Sequence, residues 1–289
     1  MAWVNAIIQG VLIGGLYALF ACGLSLMFGV MKVVNLAHGD LAVLAGYFAI
    51  GIVAVTHVPV LWSFVIVVPL MAVLGYIMQR TILQGALDRS VLTTLMVTFG
   101  LSVVIENGLL QFETANTRGI GTGLSLVTDS FSIGSIQIGY LLVVIFAVAV
   151  AVLLGLQYFL SRSKYGRLIR AVADDKEAAQ LAGADYRHVF GIAAAIAFGT
   201  VALAGIAYGM YSQLSPTTGT DTILLFAFAA VVIGGLGSLW GTLLGGVVLG
   251  VAQGIGAQIH SSAVLAGFIV FLAVLALRPQ GLISRGAPS

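Results

Sequence analysis

The amino-acid sequence predicts an all-α integral membrane protein, a polytopic helical bundle with about eight to ten membrane-crossing segments. Three observations predict it. Only 8% of the 289 residues are charged while 60% are hydrophobic, against roughly a quarter charged in a soluble domain. The apolar residues gather in runs near the roughly 20 needed to cross a hydrocarbon core about 30 Å thick. The charges collect between those runs, six of the twelve Lys and Arg lying from Arg162 to Arg187. Length alone would allow two soluble domains, but the mean hydropathy of +1.13 argues for one transmembrane domain over residues 1–289.

The first run covers 6–30 and stops at the first charge, Lys32. No Lys or Arg precedes it, so it is expected to remain as a span rather than to be cleaved. The next runs are 41–58, 61–79, 91–112 and 138–161. After the charged interval come 188–213, 222–235, 239–259 and 263–277, of which 222–235 is short for a full crossing. The positive-inside rule makes 162–187, and the chain after the last run with Arg278 and Arg285, cytoplasmic. Parity then puts the turn carrying Arg80 and Arg89 inside, and the stretch 113–137 and the N-terminus outside. Gly241 and Gly245, and Gly246, Gly250 and Gly254, recur every four residues. Such stripes let another backbone approach, from within the chain or from a partner subunit. A shift of 200 residues matches Phe28, Leu36, Leu44 and Gly46 with Phe228, Leu236, Leu244 and Gly246, an echo of a possible internal repeat.

Several function classes are disfavoured. The chain has no HExxH pair and no GxSxG elbow, and Ser238, among glycines in "GGLGSLWG", has no base nearby in sequence. His38 and Asp40 are two residues apart and do not share a helix face. The single cysteine, Cys22, excludes an internal disulfide and a cysteine metal cluster; no metal or cofactor is expected. None of the three lysines sits in a GxxxxGK[ST] loop, so the chain is not expected to hydrolyse ATP. A net charge of +2 gives no reason to expect nucleic acid. The spans are nearly free of ionisable groups. Glu106, beside Asn107 in "VIENGLLQF", is the clear case, and is either a carboxylate reaching headgroup water or part of a substrate path.

Two polar stretches stand out. In "SRSKYGRLIRAVADDKEAAQLAGADYRH", Lys164, Tyr165, Gly166, Arg167 and Arg170 precede Asp174, Asp175 and Glu177. Asp174 or Asp175 is a good N-cap for a short helix over 176–182, and Gly183 a suitable stop. A helix presented from such a loop suits a soluble partner; a solvated loop against lipid headgroups is the plainer reading. In "VVNLAHGDLAVLAGY" two readings stand. Either 32–40 is a cytoplasmic turn, with Asp40 capping the next helix and His38 in the loop, or the helix is broken inside the bundle. In the second case Asn35, His38 and Gly39 offer polar edges to a pathway.

"EAAQLAG", Glu177-Ala178-Ala179 with Gly183, resembles the EAA-x3-G signature of permease subunits of bacterial ATP-binding-cassette importers, although the Ile-x-Leu-Pro that follows it there is absent. The stretches "GLYALFACGLSLMFGVMKVVNLAHGDLAVLAGY", "SKYGRLIRAVADDKEAAQLAG" and "AFAAVVIGGLGSLWGTLLGG" together resemble the permeases of branched-chain amino acid importers and their urea and short-amide relatives, the H-type in particular. The resemblance implies an inner-membrane pathway shared with a second, different permease, two cytoplasmic ATP-binding subunits, and a periplasmic binding protein that selects the solute. It implies a coupling role for Lys164, Tyr165, Gly166, Arg167, Arg170, Asp174, Asp175, Glu177, Ala178, Ala179 and Gly183. Candidate pathway residues are Asn35, His38, Gly39, Glu106, Asn107, Gly235, Gly237 and Ser238. A self-sufficient secondary transporter or channel for a small polar solute is the competing class.

Overall fold

Each of the nine apolar runs forms a helix in the computed structural model, which describes residues 2–57, 59–113, 116–121, 125–133, 136–260 and 262–283. The helices are α1 (Ala2–Met31), α2 (His38–Thr56), α3 (Val60–Met78), α4 (Gln84–Leu87), α5 (Val91–Glu113), α6 (Ser125–Thr128) and α7 (Tyr140–Arg162). They continue with α8 (Lys164–Asp174), α9 (Lys176–Leu181), α10 (Tyr186–Tyr211), α11 (Leu224–Gly234), α12 (Leu239–His260) and α13 (Ala263–Leu277). π-Helical turns at Gln79–Leu83 and Gly219–Ile223 lead into α4 and α11. Among the described residues, seven helices are long and apolar enough to cross a membrane, and Gly219–Gly234 and Ala263–Leu277 are shorter apolar helices. The run read as 138–161 starts late as a helix. Ile136 and Ile138 alternate with Gln137, a period-2 pattern, and pair with 130–133 in an antiparallel hairpin of β1 (Ser130–Ile133) and β2 (Ile136–Gly139). Arg278 ends α13; Arg285 lies outside the described residues.

Two helices form the buried centre. α1 and α10 are each more than three-quarters buried, and they run antiparallel, with Gly23 against the Ala197 carbonyl and the Phe20 ring 5.9 Å from Tyr208. Each packs most extensively on one further helix, α1 on α12 and α10 on α3. The glycine stripes explain the first contact. Gly246, Gly250 and Gly254 lie against Gly14, Gly10 and Ala6, so closely that an added Cβ would collide with the facing carbonyl oxygens. Gly241 and Gly245 meet Gly234 and Ala230 of α11 in the same way. Both stripes are therefore used inside the chain. Lipid tails are as apolar as leucine, so this association rests on close van der Waals contact, which small residues permit.

The packing repeats itself. α1, α2 and α3 are related to α10, α11 and α12 in the order and identity of their neighbours. The start of α2 meets the start of the α11 element, with Gly39 against Gly219. Because α1 and α10 are antiparallel, the two halves are inverted, as in many transporters. Their separation is 180 residues at this contact, so the matches found at a shift of 200 do not mark the repeat.

The ends of the bundle are distinct. A cleft lined by Gly29, Val30, Ser161, Ile169, Arg170 and Gly237 puts the end of α1, α8 and the α11–α12 turn on one face. Leu282 N–H and Ile283 N–H donate to the Ile233 and Gly234 carbonyls, so the described C-terminal residues dock there too. At the opposite face Gln9 Nε2 donates to the Gln137 carbonyl, beside the hairpin. Gly250→Leu is expected to force α1 and α12 apart and to cost roughly 1–3 kcal/mol or more. Gly155→Leu, at an exposed site with nothing within 4 Å, should change stability by less than about 0.5 kcal/mol. Thermal or denaturant unfolding in detergent compares the two.

Candidate functional site

The helix ladder breaks at two related places inside the bundle. After Met31 the chain takes a left-handed residue, Lys32 at φ 57°, and turns back in extended form to start α2 at His38. The His38 ring Nε2 donates to the Phe20 carbonyl at 2.8 Å. Phe20 precedes the end of α1 by eleven residues, about 16 Å along the axis. α2 therefore begins well inside the bundle. Asn35 holds the return segment: its Oδ1 accepts from Ala37 N–H at 3.0 Å and its carbonyl from His38 N–H at 3.2 Å. The second break follows Tyr211. Leu214 N–H and carbonyl pair with those of Arg118, both at 2.8 Å, before the Gly219–Ile223 turn begins. Backbone freed at membrane depth must be buried in protein or line a cavity, and Val33, Asn35, Ala37, Leu214 and Pro216 are all buried.

Where the two half-helices meet sits Asp40. It is fully buried in the first turn of α2, where a carboxylate suits the helix dipole. Ser102 of α5 donates to its Oδ2, and Thr220 Oγ1 lies 3.1 Å from Oδ1. A carboxylate at the centre of a bilayer costs roughly 3 kcal/mol on insertion scales. Two hydroxyl bonds to a charged acceptor contribute roughly 1.5–3 kcal/mol each and offset that cost. Glu106, half-buried one turn beyond Ser102, joins the group through Thr220 Oγ1 at 3.4 Å. Thr217, Thr218, Thr220 and Thr222 add partly exposed polar side chains beside it.

At the other end of the molecule the charged loop folds as α8 and α9. Ser163 caps α8, its Oγ accepting from Gly166 N–H at 2.8 Å, and Gly166 lies against the backbone of Phe159 and Leu160. Asp175 caps α9 by accepting from Glu177 and Ala178 N–H, both at 2.9 Å, and Gly183 follows at φ 89°. Asp88, just after α4, grips this loop. It receives Gln84 Nε2 at 3.0 Å, Tyr186 OH at 3.2 Å and Arg187 Nη2 at 3.2 Å, with Lys176 Nζ at 3.5 Å. Desolvation pushes the Asp88 carboxyl up, but the bonds from Gln84 and Tyr186 and the Lys176 charge outweigh it and hold it below the usual carboxylate range.

A family model described as the permease component of the branched-chain amino acid transport system matches residues 6–277. The chain belongs to that family. It is 28% identical to the high-affinity branched-chain amino acid transport system permease protein BraD of Pseudomonas aeruginosa, over 98% of this chain and 96% of that one. It is 27% identical to LivH of Salmonella typhimurium, over 96% and 94%, and 27% identical to the probable LivH of Methanocaldococcus jannaschii, over 94% and 87%. No solved structure matches the chain.

In this permease the residues singled out from sequence fall into separate places. Asn35, His38, Gly39 and Glu106 come together at the first break. The cytoplasmic-turn reading of 32–40 is overturned: His38 is not a loop residue and Asp40 does not cap from outside, because α2 already runs through both. Asn35 and His38 are buried in the single chain, acting as clamps rather than exposed edges. Glu106 turns inward to Thr220 and not to headgroup water. Asn107 is exposed and donates to the Val103 carbonyl of its own helix. Gly235, at φ 108°, Gly237, at φ 81°, and Ser238, which caps α12, form the tight turn at the far end of α11, about 24 Å from Thr220 by helix rise. In the loop, Ala179 and Gly166 are buried while Lys164, Tyr165, Arg167, Arg170, Asp174, Asp175 and Glu177 are exposed; Asp175, not Asp174, is the cap. Sequence reasoning missed Ser102 and Thr220. The repeat of Thr94, Thr98, Ser102 and Glu106 every four residues along an otherwise lipid-suited helix was the available signal for the first, and the hydroxyl-rich "SPTTGTDT" for the second.

Asp88→Asn is expected to speed hydrogen exchange of the α9 amides several-fold at pH 7. A carboxylate with a depressed pKa contributes above its ordinary value near 4 and loses that contribution as pH falls through the lower folded value. Wild type and variant should therefore begin to approach each other near pH 4 and converge only below the lowered folded value; equal exchange at pH 7 would remove Asp88 as the grip.

Proposed function

We propose that this chain is a transmembrane permease subunit of an ATP-driven importer for branched-chain amino acids in a bacterial inner membrane. It works beside a second permease subunit, two cytoplasmic ATP-binding subunits and a periplasmic binding protein. One observation carries the reading: in a chain matched along nearly its whole length to permease components, α9 is a capped helix seated on the bundle through Ala179 and Lys176, and its Leu181 is 91% exposed. A large apolar side chain presented so fully among charged neighbours suits a groove on a soluble subunit. The basic residues Arg80, Arg162, Lys164, Arg167, Arg170, Lys176 and Arg187 belong to that end of the bundle, which supports a cytoplasmic placement for 162–187 and for the docked C-terminal residues.

The paired breaks support a pathway role for the region around Asp40, Ser102, Glu106 and Thr220. Inverted repeats place solute sites where their discontinuous helices meet. The group is rich in hydroxyls and carboxylates, and these accept hydrogen bonds from an ammonium group as it passes. The binding protein supplies most of the solute selection, which accords with so few charges in the spans.

Leu181→Asp should abolish co-purification of the ATP-binding subunit in mild detergent while the chain still inserts; recovery at the wild-type level would sink the docking role of α9. Ser102→Ala and Thr220→Val should each slow uptake roughly tenfold, the rate equivalent of about 1.4 kcal/mol, with the ATP-binding subunit still bound. Undiminished uptake in both would take the break off the path.

A further inference from the structure

α3 and α7 both pack on the buried centre, α3 chiefly on α10 and α7 chiefly on α1. A groove of about 280 Å³ is lined by all four helices. Its long walls are helix stripes. Leu203, Ala207 and Met210 of α10 recur at i, i+4 and i+7, as do Leu141, Ile145 and Val148 of α7, so each set lies on one helix face. Seven residues of rise give the groove a length of about 10 Å along the helix axes. Leu19 of α1, 1% exposed, forms its floor, while Leu61 of α3 and Val144 of α7 are exposed at its rim. Every described lining residue is apolar. Leu61 and Leu141 begin their helices and Met210 stands near the end of α10, so the groove lies in the half of the bundle nearer the β1–β2 hairpin.

We propose that this groove is a binding site for one acyl chain of a membrane phospholipid from the leaflet on the hairpin side. Water does not suit it: an apolar cavity of about 150 Å³ stays dry and takes up hydrocarbon instead. Left empty, its walls would lose their dispersion partners. A free amino acid does not suit it either, because its ammonium and carboxylate ends would be buried without partners. An acyl chain meets both conditions and is what the open side faces. α3 and α7 are spans with only 28% of their length buried, so the rim of the groove is continuous with the lipid-facing surface of the bundle. The groove also runs along the helix axes, the direction in which acyl chains lie. A seated chain touches Ala207 and Met210 on α10, a helix that is otherwise closed to lipid over most of its length.

That contact with α10 is the readout. The full chain is placed in lipid nanodiscs with a phospholipid carrying a diazirine on one acyl chain, and peptide mass spectrometry locates the adducts after illumination. Lipid around the bundle reaches the exposed Val73 of α3 in any case. The background is set by Ala193, Ala194, Ala197 and Phe198, fully buried on α10, with the Ala194 and Ala197 carbonyls packed on Gly75 and Gly23. Adducts from Leu203 to Met210 are expected at least several-fold above that background. Ala207→Phe fills the groove and Val148→Phe narrows its mouth. Each should bring the α10 adducts down to background while those at Val73 persist. Wild-type adducts no greater than background would overturn the proposal, as would adducts unchanged in either correctly inserted variant. The same labelling is expected in native membranes fused with the probe, where any partner subunit is present; its loss there would give the groove to a partner helix and overturn the acyl-chain assignment. The nanodisc result is independent of whether α9 docks an ATP-binding subunit.

Discussion

Everything in this molecule is arranged around one constraint: backbone that leaves the helical ladder at membrane depth must find its hydrogen bonds inside the protein. The chain leaves the ladder twice, between Met31 and His38 and between Tyr211 and Gly219. Those departures dictate the rest. They require protein packed around them, supplied in part by α1 and α10, the most buried helices. They require small residues where that packing closes, so Gly39 and Gly219 touch backbone to backbone, and Gly23 admits the Ala197 carbonyl and the His38 ring. They also require local acceptors and donors. Asn35 supplies one with its side chain, and Arg118 supplies two from its backbone in the segment that follows α5.

The Asp40 carboxylate follows from the same constraint. Two half-helix starts converge at one point, and unpaired N–H groups at helix starts favour negative charge. The chain fills that position itself with Asp40 and fixes it by Ser102 and Thr220. Ser102 belongs to α5, which is otherwise thinly covered by the rest of the chain. A peripheral helix is thus tied to the core through hydroxyls rather than through packed apolar area. Such a contact is strong when its partners are aligned and weak when they are not, because hydrogen bonds depend steeply on geometry.

Legibility in the sequence tracked the kind of physics involved. Apolar run length marked all nine helices, since the requirement to span hydrocarbon is a local property of 15 to 25 residues. Asp175 and Gly183 marked both ends of α9 because caps act over three or four residues. The breaks were only half visible. "NLAHGD" declared an interruption, but a cytoplasmic turn and a return into the bundle use the same residue types, and the Phe20 carbonyl that decides between them is eighteen residues away. Ser102 and Thr220 were invisible as partners of Asp40 because those contacts bridge 62 and 180 residues. Gly235, Gly237 and Ser238 attracted notice through their glycine content, yet a turn needing positive φ accounts for them.

Other long-range contacts link the charged loop to the Asp40 group. Asp88 takes Lys176 from α9 and Tyr186 and Arg187 from the start of α10, and α5 begins three residues later. From Val91 to Ser102 is a single uninterrupted helix, about 16 Å of rise. Asp88 thus ties α9 and the start of α10 to the root of the helix whose middle holds Asp40. Little of α5 is buried by the rest of the chain, while α1 and α12 meet in glycine-to-backbone contact, so the polar bonds of Asp88 at its root and Ser102 in its middle weigh more for α5 than packing does.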